Sequence, residues 1–142
     1  MKFMKNKGFT LIELLTTMAI IAILSGISLF ALNGTRESAR DGRRRSDLET
    51  IRQALEMYKS DCNVYPVSYG TSITGPSGCG SIVYLPTVPV DPQTNNPYCY
   101  CPPASGNLSY TLYANLENGV TATLSCSTAC SGNTYNFSVT NP

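Results

Sequence analysis

The stretch "KNKGFTLIELLTTMAIIAILSGISLFAL", residues 5–32, decides how this chain is organised. Its last nineteen residues, 14–32, carry no charge and span about 28 Å as a helix, close to the hydrocarbon thickness of a bilayer. A secretory signal peptide is the alternative, but its apolar region is only about 7–15 residues long and ends at a small-x-small cleavage site, for which residues 30–33 are poorly suited. The run therefore predicts a membrane-spanning helix. A carboxylate, Glu13, lies at its amino-terminal edge, where an unpaired charge is unfavourable.

The basic residues are concentrated before this run and shortly after it. The chain of 142 residues has a formal net charge of +1; three Lys precede Gly8, and the other seven basic residues lie between Arg36 and Lys59. Residues 60–142 contain neither Lys nor Arg and are rich in Ser, Thr, Asn, Gly and Tyr. A surface of this kind suits an exported module better than a nucleic-acid-binding protein.

The sequence contains no catalytic motif. The absence of His excludes His-based catalysis and His metal ligands, and neither a P-loop nor a G-x-G-x-x-G motif is present. Asp91 and Glu117 are isolated in the sequence, so they do not predict a pair of catalytic acids. We therefore expect a protein that is not an enzyme.

Residues 33–61 predict an amphipathic helical segment, with the short "NGT" at 33–35 as a candidate interruption before it. Residues at the spacing i, i+3, i+7, i+10 form one apolar stripe on it: Leu48, Ile51, Leu55 and Tyr58. Asn63 and Pro66 predict its end. The three Arg at 43–45 suggest a lipid-headgroup or nucleic-acid contact, but acidic residues are interleaved with them, which favours a solvated face with surface ion pairs.

Residues 62–142 predict a small head of antiparallel β-strands. Dense turn signals separate short segments that are rich in β-branched and aromatic residues. In "SYTLYANL" one face of the strand carries Tyr110, Leu112 and Ala114. "TATLS" and "YNFSV" also suit strands, and "ENG" at 117–119 predicts a tight hairpin turn. We therefore expect an α+β fold in which a small antiparallel sheet packs on the apolar stripe of the preceding helix.

All six cysteines lie in the head: Cys62, Cys79, Cys99, Cys101, Cys126 and Cys130. An even number in one region of an exported chain predicts disulfide bonds, for which fifteen connectivities exist. We expect Cys62 to pair with Cys79, because a disulfide that closes a loop of this length stabilises the folded state by about 3 kcal/mol. The other four then connect the segment 99–101 with the segment 126–130, or close locally. A Cys₄ zinc site is the alternative, but the spacings differ from the usual C-x₂-C pairs.

The segment "KGFTLIELL", residues 7–15, resembles the processing site of type IV prepilins and of the pseudopilins of type II secretion systems. That family pattern is a short basic leader ending in Gly, then Phe, then an apolar run with a Glu five positions after the Gly. Gly8, Phe9 and Glu13 match it. "ARDGRRRSDLETIRQALEMYKSDCNVYP", "YLPTVPVDP" and "YTLYANLEN" also resemble the major pseudopilin, so the likeness covers most of residues 1–118.

Two features depart from the family pattern. Phe30 takes the place of a Pro that is common in the middle of the apolar helix. The major pseudopilin also commonly ends in an Asp-rich calcium loop, whereas "GVTATLSCSTACSGNTYNFSVTNP" contains neither Asp nor Glu. We therefore expect no cofactor and no metal, although the resemblance alone would imply calcium, and we expect cysteine bridges to serve as the staple instead.

The resemblance implies a pathway for the amino terminus. Residues 1–8 would be a leader that a prepilin peptidase removes by cutting between Gly8 and Phe9, after which the Phe9 amine is methylated. Residues 9–32 would be a transmembrane helix and later the filament core. The unfavourable charge of Glu13 would be offset by the Phe9 amine of a neighbouring subunit, and this pairing would set the axial register of the filament.

The expected location is the bacterial inner membrane, single-pass with the head outside, followed by an extracytoplasmic pilus or pseudopilus. Positive-charge counting opposes this orientation, because five Arg follow the apolar run and three Lys precede it. The cysteines and the resemblance favour a head outside the membrane.

We therefore expect a structural subunit of a type IV filament, which serves either protein secretion or pilus-based adhesion, motility or DNA uptake. The implied partners are copies of the chain itself, the prepilin peptidase, the inner-membrane platform with its assembly ATPase, minor pilins or pseudopilins, and membrane lipid before assembly. The alternative is a single-span, membrane-anchored binding module that does not polymerise. That alternative leaves Glu13 beside a Gly–Phe junction unexplained.

Overall fold

The structure is a computed structural model that describes residues 8–102, 108–119, 126, 130 and 135–141, with the backbone alone at 29–33. The chain divides into two compact units, Met1–Arg36 and Glu37–Pro142. One long helix, α1 (Leu11–Cys62), supplies residues to both units. The "NGT" at 33–35 is part of this helix, so the candidate interruption is helical backbone.

The amino-terminal part of α1 is apolar and exposed. All side chains described from residue 8 to residue 28 are exposed, and Phe9 reaches 87% exposure. By length and composition, Leu11–Ser28 is the one helical stretch within the described ranges that is able to cross a membrane. Exposed apolar surface on this scale marks contact with lipid or with other proteins. The predicted apolar amino-terminal helix is confirmed; the side chain of Phe30 lies outside the described residues.

The carboxyl-terminal part of α1 carries the apolar stripe that the sequence predicts. Its buried side chains are Leu48, Ile51, Ala54, Leu55 and Tyr58. The helix ends where Asn63 adopts a left-handed conformation with φ 62°, and its N–H donates to the Lys59 carbonyl at 2.7 Å. This is a common helix cap, and Pro66 follows shortly after it. The amphipathic pattern and the predicted end of the helix are both confirmed.

Two small antiparallel sheets form the rest of the described head. β1 (Ile73–Thr74) pairs with β2 (Val83–Leu85). β3 (Cys99–Cys101), β4 (Thr111–Ala114) and β5 (Phe137–Thr140) form the second sheet in the order β3–β4–β5. The fold is α+β, as predicted, with two sheets where one was expected.

β4 is the central strand of the three-stranded sheet. Tyr113 lies opposite Cys99 on β3 and opposite Ser138 on β5, so both edges of β4 are occupied. The face predicted to be buried is buried: Tyr110, Leu112 and Ala114. Glu117 and Asn118 lie in a turn after β4. The hairpin predicted at 117–119 also needs a partner strand at 121–125. That partner segment, "TATLS", lies outside the described residues.

Tyrosines fill the core of the head, and their hydroxyls reach carboxylates on α1. Tyr65 and Tyr110 donate to Glu56 at 2.9 and 3.1 Å, and Tyr98 donates to Asp47 at 2.8 Å. The rings of Tyr65 and Tyr110 meet edge to face at a centroid distance of 4.6 Å. A buried Tyr adds a large apolar area, but its hydroxyl needs a partner. The polar flank of α1 supplies these partners beside the apolar stripe.

Three disulfide bonds join all six cysteines. The pairs are Cys62–Cys79, Cys99–Cys130 and Cys101–Cys126. The first pair is the one that the sequence favoured, and it ties the end of α1 to a short 3₁₀ helix, Ser77–Cys79. The other two connect β3 to the carboxyl-terminal segment, one of the two arrangements left open. The alternative zinc site is wrong, because no cysteine keeps a thiolate for a metal.

Ile51→Ala should destabilise the head by about 2–5 kcal/mol, because Ile51 is 0% exposed and its removal leaves a cavity between α1 and the sheet. Met57→Ala is the matched control on the same helix, since Met57 is 50% exposed, and we expect a change within about 0.5 kcal/mol. Urea unfolding of the detergent-solubilised full chain, followed by circular dichroism, measures both. Equal effects of the two substitutions would contradict the placement of the stripe.

Candidate functional site

The amino terminus of α1 is closed by a capping box made of Thr10 and Glu13. The Thr10 N–H and hydroxyl both donate to Glu13 Oε2, at 2.8 and 2.7 Å, and the Glu13 N–H donates to Thr10 Oγ1 at 3.4 Å. Each side chain thereby satisfies a backbone donor that the first turn of a helix leaves unpaired. The carboxylate also lies at the positive end of the helix dipole. The "TLIE" signature of this cap is present in the sequence, and the sequence analysis missed it.

The cap uses only one oxygen of the Glu13 carboxylate. Among the described residues no hydrogen bond is made to Oε1, and the side chain is exposed. Glu13 therefore has an acceptor in use within its own chain and a second acceptor open to another molecule. A cation that approaches Oε1 does not have to break the cap.

Gly8 and Phe9 lie just before the cap and make an open junction. A Cβ added to Gly8 would meet nothing within 4 Å, and the Phe9 side chain is exposed. The packing of the chain itself therefore does not require glycine at this position, and any such requirement has to come from a molecule that binds there. The leader residues 1–7 lie outside the described residues.

A second polar site is the Arg44 cluster, which consists of Arg40, Asp41, Arg44, Asp91 and Glu117. Arg44 is only 2% exposed, and Asp41 is 5% exposed. Such burial of a guanidinium is tolerated only where its charge and its donors are matched. Arg40 adds a two-bond contact to Glu117 through its Nε and Nη2 atoms.

All five N–H groups of Arg44 are used. Nε donates to Asp91 Oδ2 at 2.7 Å, and Nη1 donates to Asp41 Oδ1 and to Glu117 Oε1, both at 2.8 Å. Nη2 donates to Gln93 Oε1 at 3.2 Å and to Asp91 Oδ1 at 3.4 Å. The guanidinium is therefore saturated, and it offers no donor to a ligand.

This cluster corrects two expectations from the sequence. Within the basic stretch 43–45, Arg43 and Arg45 are exposed as predicted, but Arg44 is buried rather than solvated. Asp91 and Glu117 are isolated in sequence, yet both bind Arg44, from 47 and 73 residues away. The i, i+3 spacing of Asp41 and Arg44 predicts an ion pair on one helix face. No spacing in the sequence predicts that Asp91 and Glu117 contact Arg44.

The cluster joins three separate segments of the head. Asp41 on α1 accepts the N–H groups of Glu117 and Asn118 at 2.8 and 2.9 Å, which holds the turn after β4 against the helix. Asp91 accepts the N–H groups of Gln93 and Thr94, both at 2.9 Å, and so shapes its own loop. The cluster therefore positions this loop and this turn relative to α1.

The charges of the cluster keep its acids ionised. Burial opposes ionisation of Asp91, but hydrogen bonds from Arg44 and from N–H groups of its own loop lower its pKa to about 2. The hydrogen bond from Arg40 is the main cause that lowers the pKa of Glu117, also to about 2. Burial likewise opposes ionisation of Asp41, yet its backbone and Arg44 partners lower its pKa. Burial opposes the charge of Arg44 too, and its three carboxylate partners nevertheless raise its pKa.

A cavity of about 570 Å³ borders the Arg44 cluster. Its lining includes Gln93, Asn96, Tyr113 and Tyr135. Within the described parts of the chain, no group of three or more His, Cys, Asp or Glu side chains is placed to hold a metal ion. The acids that face this cavity are occupied by arginine, and the cavity therefore presents no charge that lacks a partner in the cluster.

Two family models match this chain, one over the apolar amino-terminal part and one over the part that follows it. The model of the prokaryotic N-terminal methylation motif matches residues 3–29, which contain the capping box and the apolar helix. The model of type II secretion system protein G matches residues 31–126, which contain most of the head. The chain belongs to the type II secretion system protein G family.

Individual relatives carry the same name. The chain is 35% identical to type II secretion system core protein G of Escherichia coli K12 over 85 residues, 60% of this chain and 54% of that protein. It is 32% identical to core protein G of Dickeya chrysanthemi over 89 residues, 63% of this chain and 54% of that protein. With core protein G of Pseudomonas aeruginosa PAO1 it shares 31% identity over 110 residues, 71% of this chain and 77% of that protein.

The chain thus spans about half the length of the first two relatives. No solved structure matches the chain. The resemblance to type II secretion pseudopilins is confirmed at the level of the family. The roles of Gly8, Phe9 and Glu13 in processing and assembly stay predictions. The sequence analysis did not foresee the Thr10 cap or the Arg44 cluster.

Arg44→Met should destabilise the head by about 3–5 kcal/mol, because it leaves Asp41, Asp91 and Glu117 close together without their shared cation. Arg43→Met is the matched control, since the Arg43 side chain is 67% exposed and makes one long contact, and we expect a change within about 0.5 kcal/mol. Urea unfolding at pH 7 compares the two variants. A small effect for Arg44→Met would mean that the cluster does not stabilise the fold.

The contribution of this cluster to the stability of the head should be independent of pH above about 4 and should be lost as the pH drops from about 4 to about 2. The reason is that Asp91 and Glu117 have pKa values of about 2 when folded, below the ordinary value of about 4 that they regain on unfolding. Thermal unfolding measured from pH 7 to pH 2 tests this, and Arg44→Met should show a shallower decrease. A melting temperature that rises below pH 4 would contradict the assignment.

Proposed function

We propose that this chain is a structural pseudopilin, a subunit that is anchored in the inner membrane and then polymerises into the pseudopilus of a type II secretion system. The observation that carries the proposal is the apolar stretch Leu11–Ser28, which is long enough to cross a bilayer and exposed along its whole length. Such a surface has to be covered by lipid in the membrane or by other subunits in a filament. Family membership supports a structural rather than an enzymatic role.

Processing of the amino terminus follows from the open junction before α1. A prepilin peptidase would cut between Gly8 and Phe9 and the Phe9 amine would then be methylated, as the methylation-motif match supports. Among the described residues, nothing lies within 4 Å of a Cβ built at Gly8, which supports access of an enzyme to the Gly8–Phe9 bond. Cutting removes the three Lys of the leader and creates a positive charge at Phe9, four residues before Glu13.

Glu13 then has two roles in succession. In the single subunit its Oε2 closes the helix cap with Thr10, which supplies hydrogen bonds to a carboxylate that would otherwise cost about 2.5–3.5 kcal/mol in the membrane. In the filament its open Oε1 accepts the Phe9 amine of a neighbouring subunit. A positive charge beside a carboxylate in a medium of low dielectric constant is strongly favourable, so this pairing both draws subunits together and sets their register.

The head would lie outside the inner membrane. Its six paired cysteines support an oxidising compartment, against the orientation that positive-charge counting gives. The partners would be copies of this chain, the prepilin peptidase, minor pseudopilins, and a membrane platform driven by an assembly ATPase. Family membership favours secretion over a surface pilus for adhesion, motility or DNA uptake. An anchored binding module that does not polymerise is not favoured, since it gives no role to Glu13 beside the Gly8–Phe9 junction of the methylation motif.

Glu13→Ala and Glu13→Gln should both abolish filaments while the protein stays inserted, processed and abundant. Glutamine at this position keeps an acceptor for the Thr10 cap, because capping boxes accept Glu or Gln, but it removes the charge that pairs with the Phe9 amine. The measurements are membrane abundance by immunoblot, intact mass for a methylated chain that begins at Phe9, and filament yield after shearing.

The glutamine variant separates the two roles of Glu13. Filaments at wild-type yield from Glu13→Gln would show that only the cap is needed, and that pairing with the neighbouring amine is wrong. Wild-type protein that is found only as monomers in detergent would instead support the anchored binding module. A mature wild-type chain that still carries residues 1–8 would contradict the proposed processing.

A further inference from the structure

The three disulfide bonds do not follow the order of the cysteines along the chain. The first two cysteines pair with each other, but the last four form a nested pattern, in which Cys101–Cys126 lies inside Cys99–Cys130. Pairing each cysteine with the next one would instead give two local bonds, Cys99–Cys101 and Cys126–Cys130. In the native pattern, therefore, Cys99 does not pair with its neighbour Cys101, and Cys126 does not pair with its neighbour Cys130.

Chain statistics favour the wrong partners. The two native nested pairs have sequence separations of 31 and 25, so their closure probabilities differ by less than about a factor of 1.5. Cys126 and Cys130 are only four residues apart, and the cost of loop closure rises with length, so their encounter is favoured over that of the 31-residue pair. An oxidant that acts on the unfolded chain has no basis to select the native pattern.

The complete three-stranded sheet also cannot form until every cysteine has been exported. β5 (Phe137–Thr140) occupies one edge of β4 and follows all six cysteines in the chain. A head exported from its amino-terminal end therefore meets the oxidant before the sheet that holds β3 is complete. Once the sheet has closed, Cys99 and Cys126 are only 4% and 3% exposed, and exchange at these sulfurs is hindered.

We propose that the head reaches its native pairing through a thiol–disulfide isomerase in the compartment outside the membrane, a partner that this chain needs before assembly. This inference rests on the proposed function only for the location of the head. The isomerase thiolate attacks a sulfur of a local disulfide, forms a mixed disulfide and releases a cysteine thiolate of the chain. That thiolate attacks the second local disulfide, and the last thiolate released displaces the isomerase. Two disulfides are broken, two are formed, and no electrons are gained or lost.

The test compares the full-length chain in two bacterial hosts, one with its extracytoplasmic disulfide isomerase and one without, both with an intact oxidase. Free thiols are blocked with N-ethylmaleimide, and the chain is digested with chymotrypsin, because no Lys or Arg follows Lys59. The linkages are mapped by mass spectrometry with fragmentation between Cys126 and Cys130, since the sequence between them contains no chymotryptic site. In the host without isomerase, native pairing of the last four cysteines should fall below about one third, the share that three equally probable connectivities would give, because the local pairs form more readily.

Two double variants remove the nesting, and one keeps it. Cys101→Ser with Cys126→Ser, or Cys99→Ser with Cys130→Ser, leaves two pairs in chain order, so native pairing should be the same in both hosts. Cys62→Ser with Cys79→Ser keeps the nested pairs and should be as sensitive to the isomerase as the wild type. The first two variants are alternatives, so a folding failure of one leaves the other.

Each outcome decides the inference. Equal native pairing of the wild type in both hosts would overturn it and leave the pseudopilin proposal intact. Equal sensitivity of the wild type and the two unnested variants would also overturn it, since nesting would not be the cause. Six free thiols in both hosts would overturn the location of the head and the need for an isomerase together. Filament yield, measured in parallel, reports on the pseudopilin proposal alone.

Discussion

The guanidinium of Arg44 determines how the segments of the head are placed around α1. It is buried, and it uses all five donors on three carboxylates and one amide from four positions of the chain. A buried ion pair gives little net stability compared with a well-packed apolar core, but the loss of one partner is severe. The value of this arrangement therefore lies in placement: Asp91 brings its loop to the helix, and Asp41 holds the backbone of the turn after β4.

The same helix also supplies hydrogen-bond acceptors to the tyrosines of the apolar core. Tyr65, Tyr98 and Tyr110 are large enough to fill a thin head, but each has a hydroxyl that needs an acceptor. Glu56 and Asp47 supply these acceptors from positions that flank the apolar stripe of α1. A domain with few aliphatic residues is thus closed by tyrosines, and three disulfides restrict its unfolded states. The described part of the head therefore has a buried core of its own.

The amino-terminal part of α1 has the opposite character, since nothing in its own unit covers its apolar side chains. Among the described residues, the Glu13 carboxylate has a partner at Oε2, which closes the Thr10 cap, and none at Oε1. Under the proposed function, lipid and then neighbouring subunits would cover the apolar side chains, and a neighbouring amine would bind Oε1.

Local signals in the sequence determined the elements of this protein. Each of these signals depends on residues that are close together in the sequence, within about two helical turns or a few strand positions. They are the apolar run, the stripe at Leu48, Ile51 and Leu55, the helix end at Asn63 and the alternation in β4. The Gly8–Phe9–Glu13 pattern is local in the same sense, whereas the Cys62–Cys79 pair was predicted from the short loop that it closes. "TLIE" is also a local signal, since Thr10 and Glu13 are three residues apart, and it predicts the helix cap that the structure contains.

Only the tertiary structure decided which distant residues meet. Arg44 looks like its exposed neighbours in the sequence, and its partners Asp91 and Glu117 lie 47 and 73 residues away. The central position of β4 likewise brings together β3 and β5, two strands that are far apart along the chain. Nesting of the last four cysteines was one of several open patterns. In each case the outcome depends on packing across long loops, whose closure entropy changes so slowly with length that no local pattern records it.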